Sequence, residues 1–218
     1  TLMVIVFQAL LGMWTVTWLL KPIVVMGHLL GGLTTFAMLL WMAWRATDLP
    51  IRLADARRLK RLVIAAIALL GLQIALGGWV SSNYAALACG NDFPTCVGRW
   101  WPPANFQEGF VLWRGIGVDY EGGILDGASR IAIQMAHRIM AVVVFVYLMW
   151  LALRFLRMPG MRGWGTVLAV LTLAQVALGI ANVHLGLPLH VAVAHNAGAA
   201  LLLATLVTLL ARFREPKV

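Results

Sequence analysis

Acidic side chains are what this sequence has least of: eight aspartates and glutamates in 218 residues, none of them inside its long apolar runs. Their absence removes the carboxylates that a coupling-ion site in a small-solute transporter needs. Charge of either sign is scarce, 11% of residues against 62% hydrophobic, with a mean hydropathy of +0.89. No water-soluble domain of this size can hide that much apolar surface in one core, so the solvent is lipid. Cysteine is limited to Cys89 and Cys96. The start lacks an initiator methionine, a signal peptide and a charged flank, which leads us to expect a fragment whose true beginning lies upstream of Thr1.

What is present is a series of apolar stretches. Crossing about 30 Å of hydrocarbon takes roughly 20 apolar residues in a helix, because every backbone group must be paired internally. Six stretches qualify, near 2–20, 23–44, 62–82, 130–153, 164–183 and 190–211. The net charge of +9 would suggest nucleic acid in a soluble protein, but it sorts by side. Twelve of the seventeen basic residues flank the second and fourth connections and the C-terminus, from Arg45 to Arg61, Arg154 to Arg162 and Arg212 to Lys217. The positive-inside rule makes that face cytoplasmic and the long loop 83–129 external, with no nucleic acid required. Cys89 and Cys96 then lie in an oxidising compartment and are expected to be bridged.

A repeat runs through the helices. Gln8, Gly12 and His28 recur at the same intervals as Gln175, Gly179 and His195, each copy with a proline in its short outer turn, Pro22 and Pro188. The second copy is preceded by a further helix pair joined by the cysteine-bearing loop, as in a four-plus-four helix protein lacking its first two helices.

Ionisable groups in hydrocarbon are costly unless paired or coordinated. His28, His137 and His195 each lie six or seven residues into a helix that runs from the outer face inward, about 10 Å deep at 1.5 Å per residue. Equal depth on neighbouring helices is what two imidazoles need to approach one heme iron from opposite sides. We pair His137 with His195 as ligands; His28 holds the equivalent place in the first bundle. Arg138 is placed to meet a heme propionate or to snorkel to the interface. His184 and His190 fall at the outer turn and read as interfacial. The Cys-x6-Cys spacing is neither a c-type heme attachment nor a zinc site.

The string from Gly77 to Cys89, then Asp92-Phe-Pro-Thr-Cys96 and Trp100-Trp-Pro, resembles the external loop of the heme A synthase family. Ala136-His-Arg138, Val193-Ala-His-Asn-Ala-Gly198, Gln8-Ala-Leu-Leu-Gly12 and Lys21-Pro-Ile-Val-Val follow in the family's order. The resemblance implies an all-α integral membrane protein with six transmembrane helices here, out of eight in a pseudo-twofold repeat of two four-helix heme-binding bundles. It assigns 1–48 to the substrate-heme bundle, 49–61 to a cytoplasmic linker, 62–214 to the heme b bundle and 215–218 to a cytoplasmic tail.

By position it makes His137 and His195 the heme b ligands and His28 a ligand to the substrate heme iron. The reaction it implies is oxidation of the ring methyl of heme O to the formyl group of heme A, with water as oxygen source. Such an enzyme serves cytochrome c oxidase assembly from the bacterial inner membrane, with heme O synthase and an electron acceptor as partners. The family's Glu-x-x-His-Arg motif has no counterpart; Gln134 stands three residues before His137, and an amide cannot act as a general base. The catalytic glutamate is therefore expected upstream of Thr1, and the fragment alone is expected to be inactive. The alternative is a non-enzymatic membrane b-type cytochrome that only passes electrons.

Overall fold

Apolar runs of leucine, alanine, valine and methionine free of internal proline leave the backbone no partner but itself, and the chain folds as helices throughout. A computed structural model describes residues 2–216; Thr1 and the tail residues Lys217 and Val218 lie outside them. The helices are α1 (Leu2–Thr17), α2 (Pro22–Ala46), α3 (Ala56–Ser82), α4 (Phe106–Gly109), α5 (Gly127–Leu156), α6 (Arg162–His184) and α7 (Leu189–Arg212). Two short strands, β1 (Ile51–Arg52) and β2 (Phe213–Arg214), pair in parallel and tie the linker to the end of α7. Among the described residues five helices are long and apolar enough to cross a membrane. The sixth predicted span is present as α1, whose 16 residues fall short of the roughly 20 that a crossing takes.

Helix starts follow local chemistry. Pro22 opens α2 from its first turn, where its missing N–H costs nothing. Asp126 caps α5 by accepting the Ser129 N–H at 2.7 Å. Helices α3, α5, α6 and α7 pack neighbour to neighbour in a closed ring, α2 lies in the groove between α3 and α7, and α1 packs on α2.

The ring is not uniformly packed. At the end bearing the basic residues, Leu59, Val63 and Leu70 of α3, Leu148, Leu151 and Phe155 of α5, Leu168 of α6 and Leu206 of α7 form one core. Above it comes a level of partial burial: no residue is fully buried between Leu70 and Gly78 on α3, Met135 and Val144 on α5, Thr172 and Asn182 on α6, or Val191 and Leu202 on α7, although Ile74 and Met140 still pack on the core. Beyond that level α3 and α5 pack again under the loop, on Trp79, Val80, Leu125 and Ile133.

Residues 83–129 cover that end. Cys89 and Cys96 form a disulfide, both sulfur-bearing residues buried against Met135 and Ile131. Trp79 Nε1 donates to the Gly109 carbonyl at 2.9 Å and the Tyr120 amide to that of Leu19 at 3.1 Å, so the loop is bonded to α3 and to the α1–α2 turn. Within it Thr95 Oγ1 and the Gly98 N–H each donate to the Asp92 carboxylate at 2.7 Å.

Two outcomes follow from this packing. A Cβ on Gly165 would stand 2.7 Å from the Leu156 nitrogen and 2.8 Å from the Ala152 oxygen, so Gly165→Ala forces α5 and α6 apart. We expect it to destabilise by about 1–3 kcal/mol in detergent thermal unfolding, while Gly163→Ala, which meets nothing within 4 Å, changes little. In the loop, the Thr95 hydroxyl first and the Gly98 N–H next hold the Asp92 carboxyl below the usual carboxylate range. A depressed acid stabilises the fold fully above its unfolded value of about 3.9 and loses that contribution as pH falls through the lower folded value. Protection of the Gly98 amide in hydrogen exchange should therefore be constant from neutral pH to about 5 and fall below about 4. Asp92→Asn should lower it already at neutral pH, and protection that persists in the wild type to the acid limit would contradict this account.

Candidate functional site

The partly buried level of the ring holds two histidine–glutamine pairs. Gln73, His137, Gln175 and His195 all fall inside the four intervals of the ring without a fully buried residue. Each histidine leans on a neighbouring helix in the same way. Gln8 of α1 donates through Nε2 to the His28 carbonyl of α2 and lies 2.9 Å from His28 Nδ1. Gln175 of α6 donates to the His195 carbonyl of α7 at 2.9 Å and lies 3.5 Å from its ring Nε2. Both pairs are the repeat read from the sequence.

A third copy was missed there. Gln73 of α3 donates to the His137 carbonyl of α5 at 3.3 Å and stands 3.2 and 3.3 Å from its two ring nitrogens. Its separation from its histidine is 64 residues where the other two are 20, because the long loop intervenes, so a search at fixed interval passes over it. The signal that could have found it is Gln-x-x-x-Gly itself, which recurs as Gln8 to Gly12, Gln73 to Gly77 and Gln175 to Gly179. The glycine has a job in all three: a Cβ there would stand 3.0 Å from His28 Cε1 and 3.2 Å from the Cε1 of His137 and of His195. The imidazole lies across bare backbone. Gly31 and Gly198, three residues past their histidines, leave the same kind of room for Gln8 and Gln175; the third unit has Met140 there.

His137 of α5 and His195 of α7 belong to the same ring, each bonded through its carbonyl to a glutamine of the adjacent helix. His28 belongs to the α1–α2 pair beside the ring. His184 and His190 are exposed at the loop end, His184 edge-on to Phe93 at 6.1 Å. Arg138 turns to the loop: Nη1 donates to Thr95 O and Nη2 to Asp92 O, each at 2.9 Å, and the guanidinium lies 5.5 Å from the Phe93 ring centre. It thus fastens the disulfide loop beside His137, with its Nε–H buried and unpartnered. Gln134 is buried and donates to Ala86 O at 3.1 Å, fastening the loop's other end.

These residues suit a heme. Among the described residues no three histidines, cysteines or carboxylates gather, so a bare ion held by protein alone has no ligand set. Two imidazoles from facing helices are the set that a porphyrin-bound iron takes. His195 Nδ1 and the Oε1 atoms of Gln73 and Gln175 are buried without partners, polar atoms that the protein's own packing leaves unsatisfied.

A profile of the COX15-CtaA family, described as cytochrome oxidase assembly protein, matches residues 1–207. A heme A synthase of Shewanella oneidensis is 44% identical over 209 residues, 95% of this chain and 63% of the relative. One of Caulobacter vibrioides is 30% identical over 96% of this chain and 60% of the relative, and one of Rhizorhabdus wittichii 35% identical over 88% and 52%. The chain thus spans between about half and two-thirds of the length of these relatives. An all-helical chain with five helices fit to cross a membrane, three repeated histidine–glutamine units and this match belongs to the COX15-CtaA family of cytochrome oxidase assembly proteins.

Proposed function

We propose that this chain serves a heme A synthase, converting a ring methyl of heme O to the formyl group of heme A for cytochrome c oxidase. The observation that carries the proposal is that His137 and His195 lie in stretches of the ring where no residue is fully buried, each bonded to a glutamine of the adjacent helix. In this reading residues 62–214 are the bundle that holds heme b on His137 and His195, and 1–48 belong to the bundle whose His28 holds the iron of heme O. The five long apolar helices, and α1 with them although it is shorter, cross the bacterial inner membrane in this reading. The arginine-rich end, with linker 49–61 and tail 215–218, is cytoplasmic and loop 83–129 external, as the positive-inside rule directs.

Bound there, heme b supplies a reversible one-electron couple. The chain's own residues do the rest. Gly77 and Gly179 let each imidazole lie against backbone, and Gln73 and Gln175 fix its height by bonding the histidine carbonyl. The leucine-rich core lies on one side of that level and the Trp79 cluster on the other. Arg138 offers its free Nε–H to a propionate while its other nitrogens hold the loop. Methyl oxidation takes oxygen from water and must shed protons and electrons, yet no helix of the ring carries a carboxylate among the described residues. With an amide at Gln134, this ring holds a cofactor and is no general base. The heme O synthase and an electron acceptor would be the partners on either side of the reaction.

The test is heme extraction and reduced-minus-oxidised spectroscopy on the protein purified in detergent from cells that make heme O. We expect heme B together with heme O or heme A. We further expect His137→Ala and His195→Ala each to lose at least half of the low-spin heme B signal, with His190→Ala unchanged. Full heme B content in both variants rejects the ligand pair; heme B alone in the wild type makes the protein an electron-carrying cytochrome.

A further inference from the structure

Lys21 lies at the loop end of the α1–α2 pair, in the turn before α2, and is 1% exposed. Its ammonium has no hydrogen-bond partner. It rests 3.3 Å from the ring centre of Trp113 and 5.4 Å from that of Trp18, and Trp79, Asn83, Arg114 and Tyr120 line the same small pocket. Among the described residues no salt bridge reaches Lys21, and the Glu108 carboxylate is paired with Arg114 at 2.7 Å. A lysine that merely anchors a helix end at a membrane interface extends its charge to water or headgroups. This one is turned inward, and aromatic faces return less than the loss of water costs an ammonium. The missing partner is an anion.

Its place says which. Seven residues, close to two helical turns, separate Lys21 from His28, so the two share a face of α2 about 10 Å apart along the axis. The wall between those levels is aromatic: Trp14, two residues past Gly12, stacks on Trp18 at 5.3 Å. A flat apolar macrocycle with an acidic edge has its centre at one level and its carboxylates at the other.

We propose that Lys21 is a carboxylate-binding residue, taking a propionate of the tetrapyrrole whose iron His28 holds. The proposal rests on the His28 assignment above and deepens it. Lys21 selects the orientation of the ring, acid edge toward the loop, and thereby which ring substituent is presented inside the α1–α2 pair.

The purified protein, carrying its endogenous heme, is titrated with iron protoporphyrin IX and with its dimethyl ester, which lacks the acidic edge. The wild type is expected to bind the acid roughly 10-fold or more tighter than the ester, the worth of one charge-assisted hydrogen bond. Lys21→Met should bring that ratio close to one while leaving ester affinity and the endogenous heme spectrum unchanged, and Lys21→Arg should restore it. His28→Ala should abolish both titrations. If His28→Ala abolishes binding but Lys21→Met keeps the acid preference, the carboxylate role is wrong. If His28→Ala leaves both titrations intact, the His28 assignment fails first and takes this proposal with it. Should Lys21→Met lose its endogenous heme spectrum, Lys21→Gln reads the same ratio.

Discussion

A polar atom inside hydrocarbon can bond only to the protein around it, and that restriction organises this molecule. Backbone groups meet it by forming helices. Side chains meet it by being absent, since the ring's helices carry no carboxylate among the described residues, or by being paired across helices at one level. The three glutamines do the pairing, each spanning to a histidine's backbone on the next helix. Where polar side chains gather, leucines cannot interlock, so the same level that carries the imidazoles is the level where no residue is fully buried.

Packing in lipid gains nothing from hiding apolar surface, because the acyl chains are as apolar as leucine. What holds the ring is fit: Leu148, Leu151, Phe155 and Leu206 interlock at the basic end, and Gly165 lets α6 touch the backbone of α5. The fit is confined to one end, with the disulfide loop closing the other. A bundle tied firmly at both ends tolerates loose packing between them.

The loop does more than cover. Arg138 and Gln134, one residue after and three before His137, grip its carbonyls at Asp92, Thr95 and Ala86. The turn of helix that positions one imidazole is therefore the turn to which the loop is fastened. The buried disulfide limits how far the gripped segment can move, which couples order in the loop to the placement of His137.

Period and hydropathy, properties of adjacent residues, made the five long apolar helices, the long loop between α3 and α5, the bridged cysteines and two of the three histidine units legible in the chain alone. The twenty-residue interval from Gln8 to His28 could be read because both partners sit on consecutive helices. Gln73 and His137 sit on helices separated by the loop, so nothing local announced their pairing, and only packing α3 against α5 brought them together. The inward turn of Lys21, the grip of Arg138 on the loop and the strand pair joining the linker to the end of α7 were decided the same way. Each is a choice among partners distant in sequence, and a linear string holds no record of which distant surface will lie opposite.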